Sequence, residues 1–147
     1  MTNPKPTLGG GSILATMIDL ARCTTHDRII LAGTAAPQRM LELHRRGYRR
    51  VATTATCGLP HGQYDVALVG WQLHSITALE ATLDWLVHFL CSDGVLVIWI
   101  DAEESSGQRK LRSMLEKLGF RVEVGTRCDA GIAISAVRGD ARLRVAA

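Results

Sequence analysis

Apolar positions recur along the chain in two rhythms. Near the start, Ile13, Leu14, Met17, Ile18 and Ala21 share one face at helical spacing, and Ser12 is placed to cap a helix from Ile13 to about Arg22. The rhythm then changes. Arg28-Ile29-Ile30-Leu31-Ala32 is almost continuously apolar, as suits a strand covered on both faces. Gly33-Thr34-Ala35-Ala36 reads as a turn. Pro37 suits the first position of a helix and Gly47 its stop, so Pro37–Arg46 is expected to be helical with Met40, Leu41 and His44 inward. Val51 to Thr56, rich in Val and Thr, predicts a second strand, which Gly58, Pro60 and Gly62 end. Asp65 to Gly70 predicts a third. Thr77-Ala78-Leu79-Glu80 is a capping box; its helix carries Leu79, Leu83, Leu86, Val87 and Leu90 on one stripe until Ser92-Asp93-Gly94 stops it. Val95 to Ile100 is again a buried type of strand. A helix over about Gln108 to Leu118 turns Leu111, Met114, Leu115 and Leu118 inward, and Gly119 ends it. Phe120–Gly125 and Ile132–Val137, split by a short polar turn, are expected to pair as a hairpin.

Alternating helices and buried-type strands imply an α/β domain with a doubly wound, mostly parallel sheet, and the final hairpin adds an antiparallel strand. The domain is expected over 12–138. Residues 1–11, with Pro4, Pro6 and Gly9 to Gly11, read as a flexible arm, and 139–147 as a basic tail. Only about eight residues separate the second strand from Asp65, too few for a crossover, so one strand–helix unit of the usual pattern is missing.

Composition narrows the function. The 147 residues are 47% hydrophobic and 21% charged, a globular balance. The formal charge of +3 is too mild to argue for nucleic acid, and only Arg45-Arg46 with Gly47-Tyr48-Arg49-Arg50 forms a local basic knot. No apolar run approaches the ~18 residues of a membrane span. The apolar segment from Ile13 is broken by Asp19 and Arg22, unlike a signal peptide, so the expected location is cytoplasmic. Cys23, Cys57, Cys91 and Cys128 form no CxxC pair and are expected reduced and metal-free, and the histidines show no metal spacing. There is no G-x-G-x-x-G with a following acid and no G-K-[ST], which argues against nicotinamide and P-loop sites.

Several segments, in order, resemble the class I S-adenosylmethionine-dependent methyltransferase family. Arg28–Gly33 with Pro37–Gly47 is similar to the family's first strand, turn and helix. Tyr64-Asp65-Val66-Ala67-Leu68-Val69 is similar to "(F/Y)DvV", and Trp71-Gln72-Leu73-His74-Ser75-Ile76 to its "xxLHHI" continuation. The run from Leu86 through Asp93-Gly94 to Ile98 resembles "L…L.pGG.L.I", and Leu115–Val122 resembles "L...GF..v" before the hallmark terminal hairpin. The resemblance implies the strand order second, first, third, fourth, last, next-to-last. It also implies S-adenosylmethionine as cofactor and in-line transfer of its methyl group.

The implied cofactor contacts are Gly33 and Thr34 on the first turn, Thr54 on the second strand and Trp71 as a stacking ring. His74 is the implied general base, and Asp101 and Glu103 face substrate at the same edge. A bulky side chain at Gly33 is expected to block the ligand and leave the protein folded. Asp65 opens its strand at the opposite edge, where a structural role is expected. The sequence departs from the family in two places. The turn has one glycine where the family has three, and threonines stand where a carboxylate holds the ribose. Two functions therefore stay open: a methyltransferase of unassigned small-molecule substrate, or a non-catalytic binding or dimerising module on the same fold, with homo-oligomer formation compatible with either.

Overall fold

The structure, a computed structural model, describes residues 9–53, 62–71, 76–101, 105–128 and 131–138. Its elements run α1 (Gly9–Ala21), β1 (Ile29–Gly33), α2 (Ala36–Arg45), β2 (Val51–Thr53), β3 (Tyr64–Trp71), α3 (Ile76–Leu86), a 3₁₀ turn (Val87–Phe89), β4 (Leu90–Ile100), α4 (Ser105–Lys117), β5 (Phe120–Cys128) and β6 (Gly131–Arg138). The six strands form one sheet in the order β2-β1-β3-β4-β6-β5. The β2, β1, β3 and β4 ladders are parallel, while β6 runs antiparallel to β4 and to β5. This is the order the resemblance implied.

Strand periodicity sorts the core into two layers. Ile29 and Leu31 of β1, Val66 and Leu68 of β3, and Val97 of β4 pack with Ile13, Leu14 and Met17 of α1 and Leu43 of α2. The alternate residues Ile30, Ala32, Ala67, Val69, Leu96 and Ile98 pack with Leu79, Leu83 and Leu86 of α3 and Leu111 and Leu115 of α4. Strands buried on both faces read as continuous apolar runs for this reason.

Several boundaries differ from expectation. Helix α1 begins at Gly9, inside the stretch read as an arm. In α2 the buried stripe is Ala36 and Leu43, with Arg39 and Met40 partly buried. Leu41 is 56% exposed and His44 faces outward, which corrects their inward assignment. Stepping by three and four from Ala36 reaches 39, 40 and 43, whereas 41 and 44 lie round the helix. Ser92-Asp93-Gly94 does not stop a helix. Instead β4 already starts at Leu90, and the register jumps from Tyr64–Leu90 to Val66–Val95, so the intervening residues bulge. Gly94 suits the bulge because a Cβ there would lie 2.9 Å from that of Leu90.

Strand β2 is described only to Thr53, so Thr54 to Thr56 and the interval 57–61 lie outside the described residues. At the amino edge, the Arg28 amide donates to Asp65 Oδ2 at 2.8 Å and the Arg28 guanidinium to Gln63 Oε1 at 2.8 Å. Asp65 thus ties the starts of β1 and β3 together, the structural role expected of it.

Candidate functional site at the seam between β1 and β3

Chain connections leave β1 toward β2 on one side and β3 toward β4 on the other. The seam between β1 and β3 is therefore the switch point of the sheet, where open α/β sheets hold ligands beyond the carboxyl ends of their strands. The last register pair along it is Gly33 with Gly70.

Gly33 has φ +86, a left-handed conformation that glycine adopts without steric cost. The chain then turns so that the Thr34 amide donates to the Gly70 carbonyl oxygen at 2.7 Å. Ala35 is also left-handed, at φ 62, and hands the chain to α2 without any side-chain cap. A non-glycine residue in that region is strained, and such strain concentrates at functional sites.

A Cβ on Gly33 would collide with the Gly70 carbonyl oxygen and come within 2.9 Å of Trp71 Cε3. Strand β3 and its terminal tryptophan therefore fill the space a side chain would take, while the glycine itself stays exposed at the edge. This corrects one expectation, that a bulky residue at Gly33 leaves the protein folded: such a residue disrupts the seam itself. The Thr34 amide is likewise spent on Gly70, while Thr34 itself is exposed at the edge.

Gly70, by contrast, is buried. Its missing side chain would point to the face covered by α2, and there lies the guanidinium of Arg39. A Cβ on Gly70 would collide with Arg39 Nη1, and would stand 3.1 Å from Cζ and 3.3 Å from the Thr34 carbonyl oxygen. Arg39 Nη1 donates to that same carbonyl at 2.7 Å. Its Nε is buried and has no hydrogen-bond partner among the described residues. Burial lowers the guanidinium's pKa from its ordinary value.

Trp71 ends β3, half-buried against the α3–α4 layer. It pairs in register with Ile100, and Asp101 follows directly, exposed at the same edge. Thr53 ends the described part of β2 and is 7% exposed. The structure thus brings Gly33, Thr34 and Trp71 together, with Asp101 one strand along. Thr54, His74 and Glu103 lie outside the described residues; in the chain they follow β2, β3 and β4, whose carboxyl ends form this edge.

Arg39 and Gly70 are the residues that sequence reading missed. The signal was present: an arginine between Ala36 and Leu43 on the apolar stripe of an amphipathic helix is out of place unless something polar holds it.

Away from the seam, Arg45 and Arg46 of the basic knot pair with Glu42 at 3.4 and 3.2 Å, while Arg49 and Arg50 line a cleft with Arg28 at the amino edge. Cys23 and Cys91 are free thiols, and burial pushes the Cys23 thiol up to about 12, with Asp27 adding to it. Among the described residues, no group of His, Cys, Asp and Glu is placed to hold a metal ion, and no helix is long and apolar enough to cross a membrane.

No protein-family model matches the chain, and neither does any curated protein. Solved structures do. A Burkholderia thailandensis 1,6-didemethyltoxoflavin-N1-methyltransferase, solved with its substrate and S-adenosylhomocysteine, aligns over 85% of this chain and 76% of its own at TM-score 0.62 and 15% identity. A Thermotoga maritima methyltransferase described as a possible histamine N-methyltransferase aligns over 90% of both chains at TM-score 0.57 and 16% identity. A Methanobacterium thermoautotrophicum precorrin 8W decarboxylase aligns over 92% of this chain and 95% of its own at TM-score 0.57 and 16% identity. At these identities the likeness speaks for architecture, and the chain has the class I methyltransferase-like Rossmann fold.

Proposed function

We propose that the protein binds S-adenosylmethionine over the β1–β3 seam and methylates a small molecule. The observation that carries this reading is the Gly33–Gly70 pair at the switch point, where the left-handed Gly33 leaves its backbone exposed at the carboxyl edge. The fit is partial. Exposed Gly33 offers bare backbone at the edge, Trp71 a ring face for the adenine, and Thr53 with Thr54 neutral hydroxyls for the ribose.

When bound, S-adenosylmethionine supplies an electrophilic methyl on a sulfonium. The protein's own part is to position and to manage protons. His74 accepts the substrate's proton. Asp101 and Glu103 attract a cationic substrate to the β4 end of the same edge.

A second reading, a non-catalytic binding module, is favoured by one specific observation: the Thr34 amide is spent on Gly70. Thermal shift with S-adenosylhomocysteine separates the two. Ligand at about 100 times its dissociation constant adds ~2.7 kcal/mol of stability. A saturable rise in melting temperature supports the methyltransferase reading, and no rise at millimolar ligand establishes the second.

A further inference from the structure

The basic knot of the sequence is neutralised unevenly. Arg45 and Arg46 both pair with Glu42 of α2, at 3.4 and 3.2 Å. Arg49 and Arg50 lie past the turn at Gly47 and lead into β2. With Arg28, which leads into β1, they rim a cleft of about 260 Å³ at the amino edge of the sheet. Val51, Ala52 and the buried Tyr64 line the rest of it. Gly33 and Gly70 lie at the opposite ends of their strands, so this cleft is separate from the seam.

The arginines stand on backbone that the sheet holds. The Ile29 amide donates to the Arg50 carbonyl oxygen at 2.8 Å, and the Asp65 and Val66 amides donate to that of Arg28 at 2.8 and 3.1 Å. The starts of β1, β2 and β3 are thereby tied together. The Arg28 guanidinium is held in turn by Gln63 Oε1 at 2.8 Å. A site carried on regular elements keeps its geometry better than one on loops.

Their charge has no local counterweight. The acids close by are turned elsewhere: Asp27 Oδ2 accepts the Thr24 amide, Asp65 Oδ2 accepts the Arg28 amide, and Glu42 serves Arg45 and Arg46. The Arg28 guanidinium takes a neutral amide oxygen where a carboxylate was within a residue or two along the chain. Among the described residues no carboxylate pairs with Arg28, Arg49 or Arg50, and residues 54–61 contain no acid. Guanidinium groups gathered round one cleft repel one another, and a bound anion relieves the repulsion. Their planar forks match the oxygens of a phosphoryl group.

We infer that this cleft binds a small phosphate ester, with the phosphoryl group among Arg28, Arg49 and Arg50 and an apolar body against Val51, Ala52 and Tyr64. The volume sets the size. It lies just under the roughly 300–1,000 Å³ of pockets for drug-sized ligands, room for one phosphoryl group and a small body. The charge sets the class. A net +3 with its unpaired arginines round one concavity is not the extended basic stripe that tracks a nucleic-acid backbone. The site is independent of what binds at the carboxyl edge.

Phenyl phosphate is the probe, followed at pH 7.5 by calorimetry and by ¹⁵N NMR of the backbone amides. Saturable shifts are expected at Arg50, Val51 and Tyr64, with none at Gly33 or Gly70. Phenyl sulfate has the same shape with one charge, whereas the phosphate is close to doubly charged at this pH, so the phosphate is expected to bind about three- to tenfold tighter. Arg49→Gln and Arg50→Gln change exposed side chains that hold no carboxylate. Each is expected to weaken phenyl phosphate about three- to tenfold, between an exposed ion pair and a charge-assisted hydrogen bond. Arg45→Gln removes an equal charge outside the cleft and is expected to stay within about twofold, because Glu42 and salt already screen it. Five results overturn the inference: no saturable binding at millimolar phenyl phosphate, shifts centred on Gly33, equal affinity for phenyl sulfate, binding that survives both Arg49→Gln and Arg50→Gln, or an equal loss in Arg45→Gln. Tighter binding of a single-stranded oligonucleotide, growing with its length, also overturns it and makes this edge a nucleic-acid face.

Discussion

Replacing Gly33 by alanine isolates what holds the seam closed. Two separate terms add. The first is conformational: Gly33 sits at φ +86, and an L-residue held in the left-handed region costs about 1–2 kcal/mol. The second is steric. The new Cβ meets the Gly70 carbonyl oxygen, which is backbone and is itself fixed by the Thr34 amide at 2.7 Å, so no flexible side chain yields. Inserting one carbon into so tight a site costs about 1–3 kcal/mol. The sum is about 2–5 kcal/mol, a large part of the ~5–15 kcal/mol that stabilises a typical domain.

Gly119 supplies the control. It is left-handed too, at φ +89, but a Cβ there meets nothing within 4 Å. Gly119→Ala therefore carries the conformational term alone, and the difference between the two variants is the steric term. Urea unfolding followed by tryptophan fluorescence gives both values, and thermal melts check them at roughly 3 °C per kcal/mol. If Gly33→Ala comes within about 0.5 kcal/mol of Gly119→Ala, β3 does not close over Gly33 and the seam has been misread.

Three further predictions concern the scaffold. Asp65→Ala is expected to cost about 1–3 kcal/mol in urea unfolding, because it removes the charged acceptor of the part-buried Arg28 amide. Leu83→Ala, at a fully buried position, is expected to cost about 2–5 kcal/mol, whereas Leu41→Gln at a 56% exposed one should stay within about 0.5 kcal/mol; the reverse order would restore Leu41 to the core. The buried Cys23 thiol ionises at about 12 when folded against 9.0 when free, so its contribution is complete below pH 9 and is lost as pH rises from there toward 12. Thermal melts across that range should fall more steeply for the native protein than for Cys23→Ala.

The sheet was legible because its signal is redundant. The central parallel strands are buried on both faces, so four to six consecutive apolar residues mark them whatever their neighbours do, as in Ile29–Ala32 and Val95–Ile100. Helix faces were less legible where the apolar residues are few. In α2, Met40, Leu41 and His44 looked like a stripe until Ala36 fixed the phase. Ser92-Asp93-Gly94 has the composition of a turn, and only pairing with β3 makes it a bulge. Of the candidate site, the position of the turn at Gly33 could be read from the strand–turn–helix pattern. The reason for the glycine could not, because its partner is Gly70, distant in sequence and brought opposite by register.

The missing ribose carboxylate bears on affinity under the proposed reading. Strand β2 is described to Thr53, a nearly buried hydroxyl where the resemblance called for an acid. A neutral hydrogen bond there contributes about 1 kcal/mol, against about 1.5–3 kcal/mol for one to a charged group. A ligand held mainly by its ribose would therefore bind this site weakly, about two- to thirtyfold below one held by a carboxylate. Calorimetry with S-adenosylhomocysteine checks this, and tight native binding would show that the ribose has another, charged partner.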